Sequence, residues 1–266
     1  MKKFEKWQGI GNDFIIIDSR EDNQIDGANK IIQLCDRHFG IGADGVIYIL
    51  KSEIADVRMR IFNADGSEPE MCGNGIRCFA KYLQADKNLK VETGAGILTV
   101  KIVGDKVQVD MGEPILSAEK IPVAGYGDKK IIGENILVGG ENYKMTCVSM
   151  GNPHCVIFVE DITKINLEKI GAKFETHEKF PKHTNTEFVQ VVGKNKLRMR
   201  VWERGAGITL ACGTGACATL VAAHLNNLAD KSAEIILDGG NLQIEWREDN
   251  HIYMTGAAEK IFAGQF

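Results

Sequence analysis

The chain has 266 residues, 44% of them hydrophobic, which is enough for one large domain or two smaller ones with well-developed cores. Its formal net charge of −4 is small and its charges are interspersed, so neither a basic stripe nor an arginine-rich run predicts a nucleic-acid partner. No apolar stretch is long enough for a signal peptide or a membrane span, and we expect a cytoplasmic protein without a membrane partner.

The first half of the chain predicts strands, then one helix, then a hairpin. The helix follows Cys72, and its apolar residues are spaced as one helical face: Ile76, Phe79, Ala80 and Leu83. Alternating apolar residues over 96–102 predict a strand, and Gly104 with Asp105 predicts a turn into a return strand. The many glycines, 29 against five prolines, favour such tight turns over a helical bundle.

The same order of motifs recurs in the second half of the chain, offset by 140 residues for three motifs and by 144 for the hairpin. The segment 198–202 matches 58–62 with two conservative changes, 151–154 is equivalent to 11–14, and Cys212 is equivalent to Cys72. Residues 216–225 are apolar nearly all round, which predicts a buried helix, and a second hairpin follows over 240–256. A repeat this long indicates a duplicated domain rather than a solenoid.

We therefore predict an α/β (α+β) protein with two similar halves, residues 1–115 and 116–255. Each half should contain strands, a turn that opens with cysteine, one central helix and a hairpin. The tail, 256–266, is predicted to return to the first half as a strand because of Ile261 and Phe262.

Seven cysteines are an odd number for a disulfide framework, and in the cytoplasm we expect reduced thiols. Cys35, Cys147 and Cys155 suit the role of a small buried hydrophobic residue. Comparison of the halves singles out Cys72 and Cys212, because Cys78 is matched by Ala218 and Cys217 by Arg77. The two thiols that the repeat retains are the candidates for chemistry.

Each of these two thiols directly precedes a predicted helix. The first-turn amides of a helix lack partners and carry partial positive charge, so they bind a carboxylate and are expected to lower the pKa of a nearby thiol. Two thiols on equivalent halves suit a reaction that needs two similar groups on opposite sides of one substrate carbon.

Two other interpretations of the cysteines remain open. The pairs at 72/78 and 212/217 are six and five residues apart, which differs from the usual spacing of a zinc knuckle, so a metal site is disfavoured. A disulfide between Cys72 and Cys212 would join the halves, but the cytoplasm disfavours it. A cysteine-based metal or redox module is the alternative from another class.

The motifs taken together resemble the diaminopimelate epimerase family, the cofactor-independent amino-acid epimerases. The matching segments lie in family order along most of the chain: residues 9–14, 38–45, 62–67, 71–78, 151–154, 202–205 and 211–216. The resemblance implies two domains related by a pseudo-twofold axis, each a curved, mainly antiparallel sheet wrapped around a central helix, and a homodimer. It implies interconversion of LL- and meso-diaminopimelate on the route to lysine and peptidoglycan precursors.

The resemblance also implies a mechanism without a cofactor. Cys72 and Cys212 would act as a thiolate and a thiol that remove and return the α-proton, and their roles would exchange with the direction of reaction. The sequence has no recognisable pyridoxal phosphate lysine motif or phosphate cradle. Backbone amides at the two helix starts would then stabilise the carbanion.

Further site residues follow from the resemblance, residue by residue. The amides that bind the reacting carboxylate would be those of Gly73, Asn74, Gly213 and Thr214. Polar contacts to substrate would come from Asn12, Asn63, Asn152 and Asn185. Arg204 would bind a carboxylate and Glu203 an ammonium group, while Asp13 and His154 would assist around the thiols. Gly45 stands where some members have glutamine, and it is not counted as a site residue.

The nearest rival is a proline or hydroxyproline racemase, which pairs cysteines in a similar fold. Those enzymes typically have histidine where this chain has Asn74. A substrate with one carboxylate would also have less need of Glu203 and Arg204.

Overall fold

The structure is a computed structural model that describes residues 1–266. The chain divides into two compact units: unit 1 comprises residues 1–110 and 255–266, and unit 2 comprises residues 111–254. These limits lie close to the halves 1–115 and 116–255 that the repeat predicts. No helix in the structure is long and apolar enough to cross a membrane.

Unit 1 is a mixed sheet with two helices. Its strands are β1 (Lys3–Gly9), β2 (Asn12–Asp18), β3 (Gly45–Leu50), β4 (Val57–Asn63), β5 (Leu89–Thr93), β6 (Gly96–Val103), β7 (Lys106–Asp110) and β17 (Glu259–Gln265). Its helices are α1 (Ala28–Cys35) and α2 (Gly73–Tyr82). Neighbouring strands pair antiparallel except for the parallel pairs β2/β3 and β4/β5. The tail returns to this unit as a strand, because β17 pairs with β1.

Unit 2 repeats this plan. Its strands are β8 (Glu134–Val138), β9 (Glu141–Ser149), β10 (Pro153–Phe158), β11 (Asn185–Gly193), β12 (Lys196–Glu203), β13 (Gly207–Thr209), β14 (Ser232–Ile236) and β15 (Asn241–Trp246), while β16 (Ile252–Gly256) runs across the boundary. Its helices are α3 (Leu167–Glu175) and α4 (Gly213–Leu225), with a single 3₁₀ turn at Ile162–Lys164. The parallel pairs β10/β11 and β12/β14 correspond to β2/β3 and β4/β5.

The register of the strands preserves the offset of the sequence repeat. Ile47 in β3 lies opposite Ile61 in β4, and Glu187 in β11 lies opposite Val201 in β12. Each unit therefore contains one copy of the sequence repeat, and the two copies share the same backbone topology. A mixed α+β fold is confirmed.

Each unit wraps its strands around one helix. Helix α2 packs against β1, β2, β6 and β7, and helix α4 packs against β9, β10, β11, β14 and β15. Residues 215–223 of α4 are all buried, because the apolar residues of this helix cover its whole circumference. Both helices begin directly after the predicted cysteine, so the thiols at Cys72 and Cys212 occupy the N-cap positions.

Candidate active site

The thiol of Cys72 lies at the start of helix α2. Its backbone is extended (φ −134°, ψ 120°), and the helix begins at the next residue. The Cys72 side chain does not accept a hydrogen bond from the first turn of α2. Instead its Sγ donates to Oδ1 of Asn12, at 3.7 Å. The thiol therefore does not compete with an anion for the first-turn amides of Gly73 and Asn74.

A buried hydrogen-bond network fixes the side chains around Cys72. Arg77 is fully buried, and its Nη2 donates to Oδ1 of Asn74 at 2.9 Å. The Asn74 amide in turn donates to Oδ1 of Asn12 at 3.3 Å, and Asn12 donates to Oδ2 of Asp44 at 2.6 Å. Asn12 therefore presents its oxygen towards the thiol and directs its NH₂ group to Asp44.

Asn63, another predicted substrate contact, lies at the exposed end of β4. Its Nδ2 donates to Oγ of Ser67 at 3.0 Å, and its backbone N–H donates to the carbonyl of the same serine. This closes the turn that contains Gly66, whose φ of +82° favours glycine. Asn63 is accessible, as a binding residue must be.

Asp13, predicted to assist around the thiols, is engaged in two ion pairs. Its carboxylate lies 2.8 Å from Nζ of Lys6 and 2.8 Å from Nη2 of Arg37. Burial alone would raise the pKa of Asp13, but the hydrogen bonds from Arg37 and Lys6 outweigh it and hold the pKa well below its usual value. Asp13 thus compensates the charge of Lys6, which is buried, and its part in catalysis stays a prediction.

This arrangement predicts a pH-dependent loss of stability in Asp13→Asn. A carboxyl whose pKa is lowered in the folded state stabilises the fold above its unfolded pKa of about 3.9, and that contribution disappears on acidification. We expect the free energy of unfolding to fall by about 2 kcal/mol at pH 7, because Lys6 loses its partner. Urea unfolding from pH 7 to pH 2 should show wild type and variant converging below about pH 4. A difference that stays constant over this range would contradict the assignment.

The thiol of Cys212 lies at the start of helix α4 but has different partners. Its Sγ accepts a hydrogen bond from the amide of Gly215 at 3.4 Å, and it lies 3.6 Å from Oγ1 of Thr214. The two cysteines of the repeat therefore have equivalent backbone positions and different hydrogen bonds: one thiol contacts a side chain of its own unit, and the other caps its helix.

The expectation that the helix start lowers the pKa of the thiol is wrong for Cys212. Burial raises its pKa well above the usual value, and the nearby charges of Glu203 and Glu187 raise it further. The hydrogen bonds from Thr214 and Gly215 act in the opposite direction but are outweighed. The effect of desolvation on the pKa of Cys212 thus exceeds that of the helix N-terminus, and Cys212 is held as a protonated thiol.

Glu203, the predicted ammonium ligand, adjoins this thiol. Burial raises its pKa, and hydrogen bonds from Thr209 and Cys212 only partly compensate. The hydroxyl of Thr209 donates to Oε1 of Glu203. A carboxyl of raised pKa next to a protonated thiol forms a small cluster that can exchange protons.

Asn185 and Arg204, two further predicted contacts, are joined to each other. The Oδ1 of Asn185 accepts from the backbone N–H of Arg204 at 2.9 Å, and its Nδ2 donates to the carbonyl of Pro153 at 2.8 Å. The guanidinium of Arg204 is exposed and donates to the carbonyl of Lys182 at 3.3 Å. Asn185 is buried and braces the segment that carries the exposed Arg204.

His154 and Asn152 lie beside a carboxylate that the sequence analysis did not select. Nδ1 of His154 is 2.7 Å from Oε1 of Glu187, and its Nε2 is 3.0 Å from Oδ1 of Asn152. His154 and Glu187 are both fully buried. The repeat could have found Glu187, since the equivalent residue of the first half is Ile47, a difference in polarity at a strand position.

The glycines in the first turns of the two helices predict unequal effects of added methyl groups. A Cβ at Gly215 would lie 2.6 Å from Oε1 of Glu187, whereas a Cβ at Gly75 would lie 3.0 Å from the flexible end of Ile61. We expect Gly215→Ala to lower the free energy of unfolding by about 2 kcal/mol. The matched Gly75→Ala should change it by less than about 1 kcal/mol, since helix propensity offsets the crowding. Equal losses in chemical denaturation would contradict this difference.

The chain is similar to known proteins along nearly its whole length. A family model described as diaminopimelate epimerase matches residues 4–117 and 146–261. A protein of Synechocystis sp. named diaminopimelate epimerase is 53% identical over 272 residues and covers 98% of both chains. A rice protein named diaminopimelate epimerase, chloroplastic, is 52% identical over 280 residues, which span 98% of this chain and 79% of the relative.

Solved structures share the fold at much lower identity. A phenazine biosynthesis protein of the PhzF family from Bacillus anthracis has a TM-score of 0.70 at 16% identity and covers 100% of this chain and 98% of that one. A hydroxyproline epimerase from Agrobacterium vitis has a TM-score of 0.67 at 13% identity and covers 100% and 90%. At these identities the likeness concerns the fold alone.

Proposed function

The chain belongs to the diaminopimelate epimerase family, and from that premise we propose that it interconverts LL- and meso-diaminopimelate without a cofactor. The observation that carries the proposal is the cysteine at the N-cap of an equivalent helix in each unit. This reaction serves lysine and peptidoglycan precursor synthesis.

We infer that the helix starts bind the carboxylate of the reacting centre. The amides proposed as donors are those of Gly73 and Asn74 in unit 1, and of Gly213 and Thr214 in unit 2. Removal of an α-proton places negative charge on that carboxylate, and preorganised N–H groups stabilise this charge more in the transition state than in the ground state. The polar residues Asn12, Asn63, Asn152 and Asn185 are proposed to orient the substrate.

The proton transfers are assigned to the two thiols. Epimerisation requires one group to remove the α-hydrogen and another to return a proton to the opposite face. Since burial and two nearby carboxylates keep Cys212 protonated, this thiol starts one direction of the reaction as the acid. Cys72 is then the base for that direction, and the roles exchange for the reverse.

The charged groups of the substrate other than the reacting carboxylate are assigned to Glu203 and Arg204. The exposed guanidinium of Arg204 suits the second carboxylate of diaminopimelate, and Glu203 suits an ammonium group. A monocarboxylate such as proline would leave Arg204 without a carboxylate partner.

The proposal also includes an oligomeric state and a location in the cell. We propose a homodimer, on the resemblance to the family; the exposed Ile261 and Phe262 on β17 support an interface on that strand. Analytical ultracentrifugation of wild type and Phe262→Glu tests this, and a monomeric wild type would refute it.

We also propose a cytoplasmic location, because seven cysteines suit a reducing compartment.

Deuterium exchange tests the proposed function directly. Purified protein is incubated with LL-diaminopimelate in heavy water without added cofactor, and proton NMR follows the α-hydrogen and the meso product. We expect loss of the α-proton signal together with formation of deuterated meso isomer. Exchange of proline or hydroxyproline, with diaminopimelate unchanged, would replace this function with that of the rival racemases.

A further inference from the structure

The mechanism above uses the buried Glu187 only through its charge near Cys212 and gives no role to its contact with His154. Its Oε1 contacts His154, but its Oε2 is buried without a hydrogen-bond partner. Burying a carboxylate costs free energy, and an unpaired oxygen adds to that cost. Stability alone does not account for a glutamate at this position.

The duplication supplies an internal comparison for this position. In unit 1 the residues equivalent to Glu187 and His154 are Ile47 and Phe14, both buried and apolar. The strand registers that place them are the same, since His154 lies opposite Asn185 as Phe14 lies opposite Gly45. The fold is therefore satisfied by an aliphatic and an aromatic side chain here, and only unit 2 has an acid and an imidazole.

The geometry of the imidazole connects Glu187 to a predicted substrate contact. Both ring nitrogens of His154 face oxygen atoms, Oε1 of Glu187 and Oδ1 of Asn152. The contact with Asn152 is a hydrogen bond when Nε2 bears a proton. When Oδ1 of Asn152 accepts this hydrogen bond, the NH₂ group of Asn152 remains to donate to a ligand oxygen.

Unit 1 shows that this orientation is not inherent in the turn. Asn12, the residue equivalent to Asn152, donates its NH₂ to Asp44 and directs its oxygen to Cys72. The position equivalent to Asp44 is Thr184, whose hydroxyl bonds to backbone carbonyls instead. The two asparagines of the repeat thus have amides oriented by different partners.

We propose that Glu187 is a positioning residue that acts through His154. Its carboxylate accepts a hydrogen bond from Nδ1–H and stabilises the doubly protonated ring, whose Nε2–H donates to Oδ1 of Asn152 and leaves the NH₂ group of Asn152 to bind a substrate carboxylate. This inference rests on the proposed function for its substrate. Glu187 has a second influence on the site, because its charge contributes to the raised pKa of Cys212, after burial and Glu203.

The decisive variant is Glu187→Ile, which installs the residue of the equivalent position in unit 1. We expect kcat/KM for LL-diaminopimelate to fall about tenfold to hundredfold as Asn152 loses its orientation. Unfolding in urea should show that the double variant Glu187→Ile/His154→Phe, which matches unit 1 at both positions, is at least as stable as wild type. Glu187→Gln should retain most of the activity, because its NH₂ group can donate to an unprotonated Nδ1, and the neutral ring then keeps its proton on Nε2.

A double-mutant cycle separates positioning from packing. If Glu187 acts through His154, then Glu187→Ile should have no further effect on kcat/KM in the His154→Phe background. An equal loss in both backgrounds would overturn the proposal, as would wild-type activity in Glu187→Ile.

A spectroscopic measurement needs no substrate. The ¹⁵N signals of the His154 imidazole, assigned by their absence in His154→Phe, report which nitrogen is protonated. We expect protons on both ring nitrogens in wild type, a proton on Nε2 alone in Glu187→Gln, and a mixed population of neutral tautomers in Glu187→Ile. Ile47→Val, the control in unit 1, should leave the spectrum unchanged. An unchanged spectrum in Glu187→Ile overturns the proposal. A wild type that epimerises no diaminopimelate refutes the proposed function, while this spectrum still tests the link from Glu187 to His154.

Discussion

Cys72→Ala and Cys212→Ala should each lower the rate of interconversion of LL- and meso-diaminopimelate by about 10³-fold or more, because either variant lacks one of the two proton-transfer groups. The remaining thiol still reaches one face of the α-carbon. Each variant should therefore exchange the α-hydrogen of one stereoisomer with heavy water, and the two variants should favour opposite stereoisomers. Mass spectrometry after separation of the isomers measures this.

Stability must be separated from chemistry in this experiment. Cys212 caps helix α4 by accepting a hydrogen bond from Gly215, so Cys212→Ala should also cost about 1 kcal/mol of stability. Cys212→Ser keeps an acceptor at the cap and is the matched control. Near-normal turnover in any of these variants would refute the two-thiol mechanism.

Arg77→Met should produce the largest loss of stability, about 3 kcal/mol or more in the free energy of unfolding. The guanidinium is fully buried and donates to the carbonyls of Gly73 and Ala257 and to Oδ1 of Asn74. Methionine fills the space but leaves these acceptors without that donor. KM should also rise, because Asn74 loses its anchor.

The matched control lies at the equivalent position of helix α4. Cys217 is also buried, and Cys217→Ala should cost only about 1 kcal/mol and leave KM unchanged. Arg77→Lys should fall between the two, since an ammonium group keeps the charge but not the fork of donors. Equal stability of Arg77→Met and Cys217→Ala in chemical denaturation would show that the buried network contributes nothing.

The elements that the sequence predicted best are those that the repeat states twice. Helices α2 and α4 begin directly after Cys72 and Cys212 because both copies place glycines after a cysteine and an apolar run beyond them. The β6/β7 hairpin follows from strict alternation and the turn at Gly104, whose φ is +63°. Local periodicity and turn chemistry suffice for such elements.

What the sequence could not predict depends on contacts between distant segments. The raised pKa of Cys212 arises from burial and from the charges of Glu203 and Glu187. The prediction of a lowered pKa at the helix start includes none of these effects. In the sequence Arg77 resembles an ordinary surface charge on a helix, but in the structure it is fully buried. Glu187 is equivalent to Ile47 in the repeat, but only the structure shows that its side chain contacts His154.

The pairing of β17 with β1 has a consequence for the order of folding during synthesis. Unit 1 combines the segment 1–110 with the segment 255–266, so β17, one neighbour of β1, is synthesised only after the whole of unit 2. We expect unit 2 to fold first on the nascent chain, while β1 keeps an unpaired edge that could join another strand. The enzyme would therefore gain its complete first half last, although that half is encoded first.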